Sequence, residues 1–295
     1  MTQAPAVVRR DYPTARLTTV GTGGPARWFA RPTSVAELGD VLAWAHGEGL
    51  DVAVIGLGSN LLVADEGYDG VVVRLAGELA RIERDGDRVV SGGGASLAAI
   101  VKRATGWGLS GIEFGCAIPG TAGGAVRMNA GAYGGEIRDV LADALVIGPG
   151  GRRRGGPDEL GMTYRRSAVA PGEVVAEVVL ALRPGEPDRI RRTVADMQRR
   201  RREAQPAKVR TFGSVWKNPD PERTAGRLLE ECGLKGYAVG GARISPVHAN
   251  FIENHGGAQS ADVLALMREA RRRAREQGVE LEHEVQMLGP IALDN

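Results

Sequence analysis

Aromatic residues are scarce in this chain, cysteines scarcer, and long apolar runs absent. Phe, Trp and Tyr together make up 4% of the 295 residues, which leaves little material for a surface that stacks nucleic-acid bases. The two cysteines, Cys116 and Cys232, lie far apart without C-x-x-C spacing. That argues against a zinc site and against a disulfide framework, and no metal is expected. The N-terminus has arginines and prolines but no apolar core segment, so no secretory signal is read. No stretch approaches the roughly 18 apolar residues of a membrane span. The setting expected is cytoplasmic and reducing, with no membrane partner. Charge is nearly balanced at +2. The arginine runs at 152–154, 189–192 and 199–202 read as solvated helix or turn faces, and no nucleic-acid partner is expected.

What the chain has in excess is glycine. Its 43 glycines are about twice ordinary usage, without a G-X-Y period. Excess glycine in a chain with a substantial apolar share implies tight turns or close backbone approach to a ligand. The length suggests two domains. Ser34 followed by Glu37 fits a capping box opening a helix that ends near Gly47 or Gly49. Further helices are predicted over 96–105, 188–204 and 225–231, with another that Ser260 caps and Gly278 ends. Strands are predicted over 51–55, 70–75, 88–91, 140–148, 162–165, 174–182 and 248–252. Gln205-Pro206 marks a domain boundary.

Three segments stand out chemically. Residues 56–62 read Gly-Leu-Gly-Ser-Asn-Leu-Leu after a short strand. Leu61 stands where a dinucleotide fingerprint needs its third glycine, and no helix follows, so that fingerprint fails on context. The loop reads either as a tight connection or as a nest of backbone N–H groups for an anion, with Ser59 and Asn60 adding side-chain donors. Residues 115–136 are denser still in glycine but carry Ile118, Val126, Met128 and Tyr133. That composition favours a ligand wall over a flexible linker. Residues 211–219, Thr-Phe-Gly-Ser-Val-Trp-Lys-Asn-Pro, set a hydroxyl, an ammonium and a carboxamide between turn signals. By itself Ser214 reads as a polar turn residue.

Taken together, the segments resemble the UDP-N-acetylenolpyruvoylglucosamine reductases. The resemblance rests on V-G-x-G-G-P-A at 20–26, G-x-G-S-N-L-L at 56–62, I-P-G-T-x-G-G-A-V-x-M-N-A-G-A-Y-G-G-E at 118–136, Y-R-x-S at 164–167, G-S-V-W-K-N-P at 213–219, H-A-N-F at 248–251 and E-V at 284–285. It implies an α+β fold: a vanillyl-alcohol-oxidase-like (PCMH) FAD-binding region over 1–204, in subdomains of about 1–68 and 69–204, then an α+β substrate-binding domain over 205–295. The chain resembles the short type, without an added tyrosine loop. The resemblance further implies non-covalent FAD reduced by NADPH, UDP-N-acetylglucosamine enolpyruvate as substrate, and a monomer.

Residue by residue, it implies flavin contacts from Gly56, Gly58, Ser59, Asn60, Leu61, Ile118, Pro119, Gly120, Thr121, Gly123, Gly124, Asn129, Gly131 and Ala132. It implies catalysis by Arg165, Ser214 and Glu284, and substrate contacts from Tyr164, Lys217 and Asn218. The chemistry suits these types. Hydride addition to an enol ether conjugated with a carboxylate builds negative charge, which calls for a bidentate cation such as Arg165 and a proton donor such as Ser214. Lys217 is the candidate to assist that hydroxyl. Glu284 would polarise or orient the substrate; its plainer reading is a surface carboxylate, as for Glu282. Departures from the family pattern are Ala117 before I-P-G and Trp216 for phenylalanine. A sister flavin oxidase would share the glycine loops without needing Arg165, Ser214 and Glu284 together.

Overall fold

The computed structural model describes residues 3–220 and 222–294. They form two compact units. The first comprises Met1–Arg10, Trp28–Leu57 and Gly70–Arg201; the second comprises Asp11–Arg27, Gly58–Asp69 and Arg202–Asn295. The units therefore interleave along the chain.

The first helix, α1 (Val35–Gly47), begins where its cap predicts, with the Ser34 hydroxyl accepting from the Glu37 N–H at 3.2 Å. Glu37 reaches one residue further back than a simple box: its carboxylate accepts from the Thr33 N–H at 2.7 Å and the Thr33 hydroxyl at 2.8 Å. Leu38, Val41 and Trp44 turn one face of α1 onto Trp28, Val71 and Val73. Val52–Val54 pairs in parallel with Val71–Val73 in a four-stranded sheet.

A second, antiparallel sheet of the first unit runs Gly151–Gly155, Leu141–Gly148, Val174–Ala181, Arg88–Gly92, Ile82–Asp85. Helices α2 (Leu97–Gly106) and α3 (Ala122–Arg127) cover it through Ile100, Val101, Ala125 and Val126 against Val89, Val146 and Val178. Ser96 and Thr121 cap them through their hydroxyls. Helix α4 (Pro187–Ala204) buries only Ile190. Its arginines are surface groups, with Arg191 on Asp188, and Arg199 and Arg200 on Asp196.

In the second unit, the strands Arg210–Ser214, Phe251–Asn254, Ala242–Ile244 and Ala238–Val239 form an antiparallel sheet in that order. Helices α5 (Ala225–Glu231) and α6 (Ser260–Glu276) pack on it through Leu228, Leu229, Val263, Leu266 and Met267. The cap of α6 is Gln259, in a reciprocal box with Asp262, and not Ser260 as expected. Ser260 is instead fully buried and donates to the Thr22 hydroxyl at 2.8 Å. Both oxygens of Asp65 accept from the first amides of α6. A separate parallel pair joins Leu61–Val63 to Gln286–Leu288.

Two strand expectations change. Residues 248–250 form a turn, with the strand starting at Phe251. The expected strand at 162–165 is a tight turn closed by reciprocal bonds between Thr163 and Arg166, at 2.9 and 3.1 Å.

Candidate active site

Half of the glycines expected around the cofactor, Gly58, Gly123 and Gly131, let backbone pack on backbone, and Gly56 makes room for a side chain. A Cβ on Gly56 would lie 2.4 Å from the Thr121 hydroxyl, and one on Gly123 3.0 Å from the Val175 carbonyl. The Ala122 N–H donates to Ala95 O and the Gly123 N–H to Gly93 O, each at 2.8 Å, which ties the start of α3 to the preceding glycine turn. Gly120 and Gly124 differ. Their nearest neighbours to an added Cβ are Ile118 at 4.0 Å and the Thr121 hydroxyl at 3.5 Å. Residues 118–124 thus present bare backbone and small side chains rather than charge, a surface that fits the flat, mostly apolar ring system of FAD.

Cys116, next to this segment, is half-buried and donates to Val194 O at 3.7 Å. Burial raises its thiol above the ordinary range. Gly58 has φ +68°, and a Cβ there would sit 1.8 Å from Leu17 O, so only glycine fits.

In the first unit, Arg165 occupies the tight turn with φ +56°, a left-handed conformation that is strained for a long side chain. Its guanidinium donates to Gly131 O at 2.9 Å and lies 4.9 Å from the ring of half-exposed Tyr164. Three neighbours hold the turn. Fully buried Asn129 donates to Thr163 O at 3.0 Å and accepts from the Arg138 N–H at 3.0 Å. Arg138 donates to Met162 O. Ser167 donates to Arg127 O at 2.7 Å. The Asn129 side chain, expected at the cofactor, is therefore engaged in holding the arginine turn. Gly131 and Ala132 form a small hairpin with Gly135 and Glu136.

The second unit gathers Ser214, Glu284, Lys217, Asn218 and the loop at 58–60. Ser214 ends its strand after a bulge in which Gly213 takes φ +84°. A Cβ on Gly213 would lie 3.6 Å from Ser59 O, so the loop passes beside the serine stretch. The Glu284 N–H donates to Val215 O at 2.8 Å, and the Lys217 N–H to Glu282 O at 2.9 Å. The Asn60 side chain donates to Glu284 O at 3.0 Å. The Lys217 ammonium is paired with Glu282, whose carboxylate lies exposed at the surface, as expected. Asn218 accepts from the Ala225 N–H at 3.1 Å and so helps start α5. His283 holds Val285 O through Nδ1 at 2.8 Å.

Residues 26–154 match the family model "FAD binding domain", and 205–288 match "UDP-N-acetylenolpyruvoylglucosamine reductase, C-terminal domain". The chain is 46% identical to UDP-N-acetylenolpyruvoylglucosamine reductase 2 of Symbiobacterium thermophilum over 97% of its own length and 93% of the relative's. The reductase of Anaeromyxobacter dehalogenans is 44% identical over 97% and 87%. Among solved structures, UDP-N-acetylenolpyruvylglucosamine reductase from Thermus caldophilus superposes with a TM-score of 0.84 at 39% identity, covering 96% of this chain and all of that one. The chain belongs to the UDP-N-acetylenolpyruvoylglucosamine reductase family.

It is an FAD-dependent oxidoreductase of that family. Its α+β fold is also shared by 6-hydroxy-D-nicotine oxidase from Arthrobacter nicotinovorans, with a TM-score of 0.54 over 86% of this chain at 17% identity. Within the reductase motifs, sequence reasoning gave no role to Asn250 or Ser167. Asn250, 4% exposed, accepts from the Trp216 N–H and donates to Trp216 O, both at 2.9 Å. Both residues lie inside the H-A-N-F and Y-R-x-S motifs, so motif membership was their only signal. Among the described residues, no group of His, Cys, Asp and Glu could hold a metal ion, and no helix is long and apolar enough to cross a membrane.

Proposed function

We propose that this chain reduces UDP-N-acetylglucosamine enolpyruvate to UDP-N-acetylmuramate with NADPH, a step in peptidoglycan precursor synthesis. FAD, when bound, would supply the hydride chemistry, from NADPH to C3 of the enolpyruvyl group. Arg165 then faces the substrate carboxylate, where its permanent charge offsets the negative charge that grows as C3 is attacked. Ser214 gives its hydroxyl proton to C2, completing the addition of one hydride and one proton. Glu284 orients the enolpyruvyl group. Lys217 and Asn218 bind the diphosphate, for which the Lys217 ammonium leaves Glu282, and Tyr164 lines the same substrate.

The loops at 56–61 and 118–132 hold the flavin through backbone and small side chains. On this reading residues 1–204 form the flavin region, in subdomains of about 1–68 and 69–204, and 205–295 bind substrate. The family matches to 26–154 and 205–288 support that division. A cytoplasmic monomer completes the proposal, its oligomeric state testable by sedimentation.

One observation carries the reading. Ser214 and Glu284 stand on neighbouring backbone segments, joined through the bond from the Glu284 N–H to Val215 O at 2.8 Å. That bond fixes the backbone of the two residues side by side. Anaerobic stopped-flow tests it. NADPH should bleach the flavin, and the enolpyruvyl sugar should restore its colour faster than buffer alone. Colour return driven only by oxygen would sink the proposal. In Ser214→Ala the NADPH step should keep its rate while the sugar step slows by about 10²-fold or more. Equal slowing of both steps would assign Ser214 a structural role.

A further inference from the structure

The loop at 58–60 grips a neighbouring segment of the second unit. Asn60 brackets Glu284. Its side-chain amide donates to Glu284 O at 3.0 Å, and its own carbonyl accepts from the Gln286 N–H at 3.0 Å. The Gln286 side chain adds a longer contact to the same Glu284 oxygen, 3.4 Å. On its other side the Glu284 N–H is bonded to Val215 O at 2.8 Å. The residue between the two grips, Val285, is fully buried in the core of the second unit. Both hydrogen-bonding groups of the Glu284 peptide are therefore taken, one by the strand that carries Ser214 and one by the glycine loop. Beyond Asn60 the chain continues as Leu61–Val63, in parallel register with Gln286–Leu288.

We infer that Asn60 is a positioning residue that sets the carboxylate of Glu284 against the reacting group. The inference rests on the reading of Glu284 as the third catalytic residue. Asparagine suits this place. The carbonyl of Glu284 needs a donor, which an aspartate at neutral pH does not provide, and glutamine adds a methylene to a short span. A displacement of about 1 Å at a catalytic group can cost about 10²-fold in rate, so a lost backbone grip has leverage on chemistry.

The test uses FAD-loaded enzyme carrying Asn60→Ala, with the isosteric Asn60→Asp as a second variant that keeps the volume and loses the donor. Hydrogen exchange over 281–288 should rise about tenfold or more in both, while peptides of α6 stay unchanged. Unchanged exchange over 281–288 overturns the bracket, whatever the substrate proves to be. In stopped-flow of the flavin-loaded fraction, the enolpyruvyl-sugar step should slow about tenfold more than the NADPH step does. In a Glu284→Gln background, Asn60→Ala should add less than about threefold, because its effect runs through the carboxylate already removed. A further tenfold loss there, or equal slowing of both steps, overturns the assignment. Failure of the parent enzyme to respond to the enolpyruvyl sugar counts against the proposed function alone, since the exchange result stands independently.

Discussion

At Trp216 both backbone hydrogen-bonding groups end on one side chain, Asn250. Buried polar groups that lose a partner pay a full desolvation penalty, about 1–3 kcal/mol each. Asn250→Ala strands the N–H and the C=O of a residue two places from Ser214. It should lower unfolding stability by about 2 kcal/mol or more in urea titrations, at an unchanged slope with denaturant. A loss below about 0.5 kcal/mol would show that water replaces the amide. The same economy appears at Asn129. Its motif position suggested a flavin contact, yet its amide lies between Thr163 O and the Arg138 N–H. A linear motif reports that a carboxamide is wanted. It is silent on whether the carboxamide faces a ligand or the protein's own backbone.

At the scale of elements, close glycine crossings decide how tightly the first unit closes. A Cβ on Gly93 would stand 1.8 Å from Val175 O, inside the five-stranded sheet, whereas Gly150 has open space around it. Gly93→Ala should therefore push a sheet strand away from the loop that anchors α3. The expected cost is about 1–3 kcal/mol or more, seen as a lower Tm and reduced flavin retention on gel filtration. Gly150→Ala should stay within about 0.5 kcal/mol of the parent. Element types were largely legible: capping and apolar spacing located α1, α2, α4, α5 and α6 to within a residue or two. The turn at Arg165 was not, because its alternating side chains mimic a strand while reciprocal bonds between Thr163 and Arg166 and a positive φ make it a bend. The cap of α6 was displaced by one residue because a buried hydroxyl partner, Thr22, claims Ser260 from a distant segment.

For the molecule as a whole, arginine-held carboxylates set the response to acid. The side-chain hydrogen bond from Arg272 lowers the Glu269 pKa from 4.5 to about 2; burial opposes the shift, and Arg273 adds to it. A depressed carboxylate contributes stability that is complete above its unfolded value, near 4.5, and is lost as pH falls toward about 2. At Glu173 and Glu177 burial also opposes ionisation, but bonds from Arg153, and from Arg154 and Arg81, hold the net shift downward, so they act in the same sense. Tm should fall through that window, and Glu269→Gln should flatten the fall by removing one contribution. A variant with an unchanged Tm–pH curve would show that Glu269 titrates normally.

The amino-acid sequence by itself determined the family, the helix and strand types, and the residues around which catalysis is proposed, because those rest on local spacing and on several motifs in one order. Tertiary structure decided what each polar side chain does. Asn60 meets Glu284 across 224 positions and Asn250 meets Trp216 across 34. Partners so far apart in the chain leave no periodic trace. Which donor satisfies which buried carbonyl is settled only when the strands come into register, and that pairing determines how the proposed catalytic side chains are held.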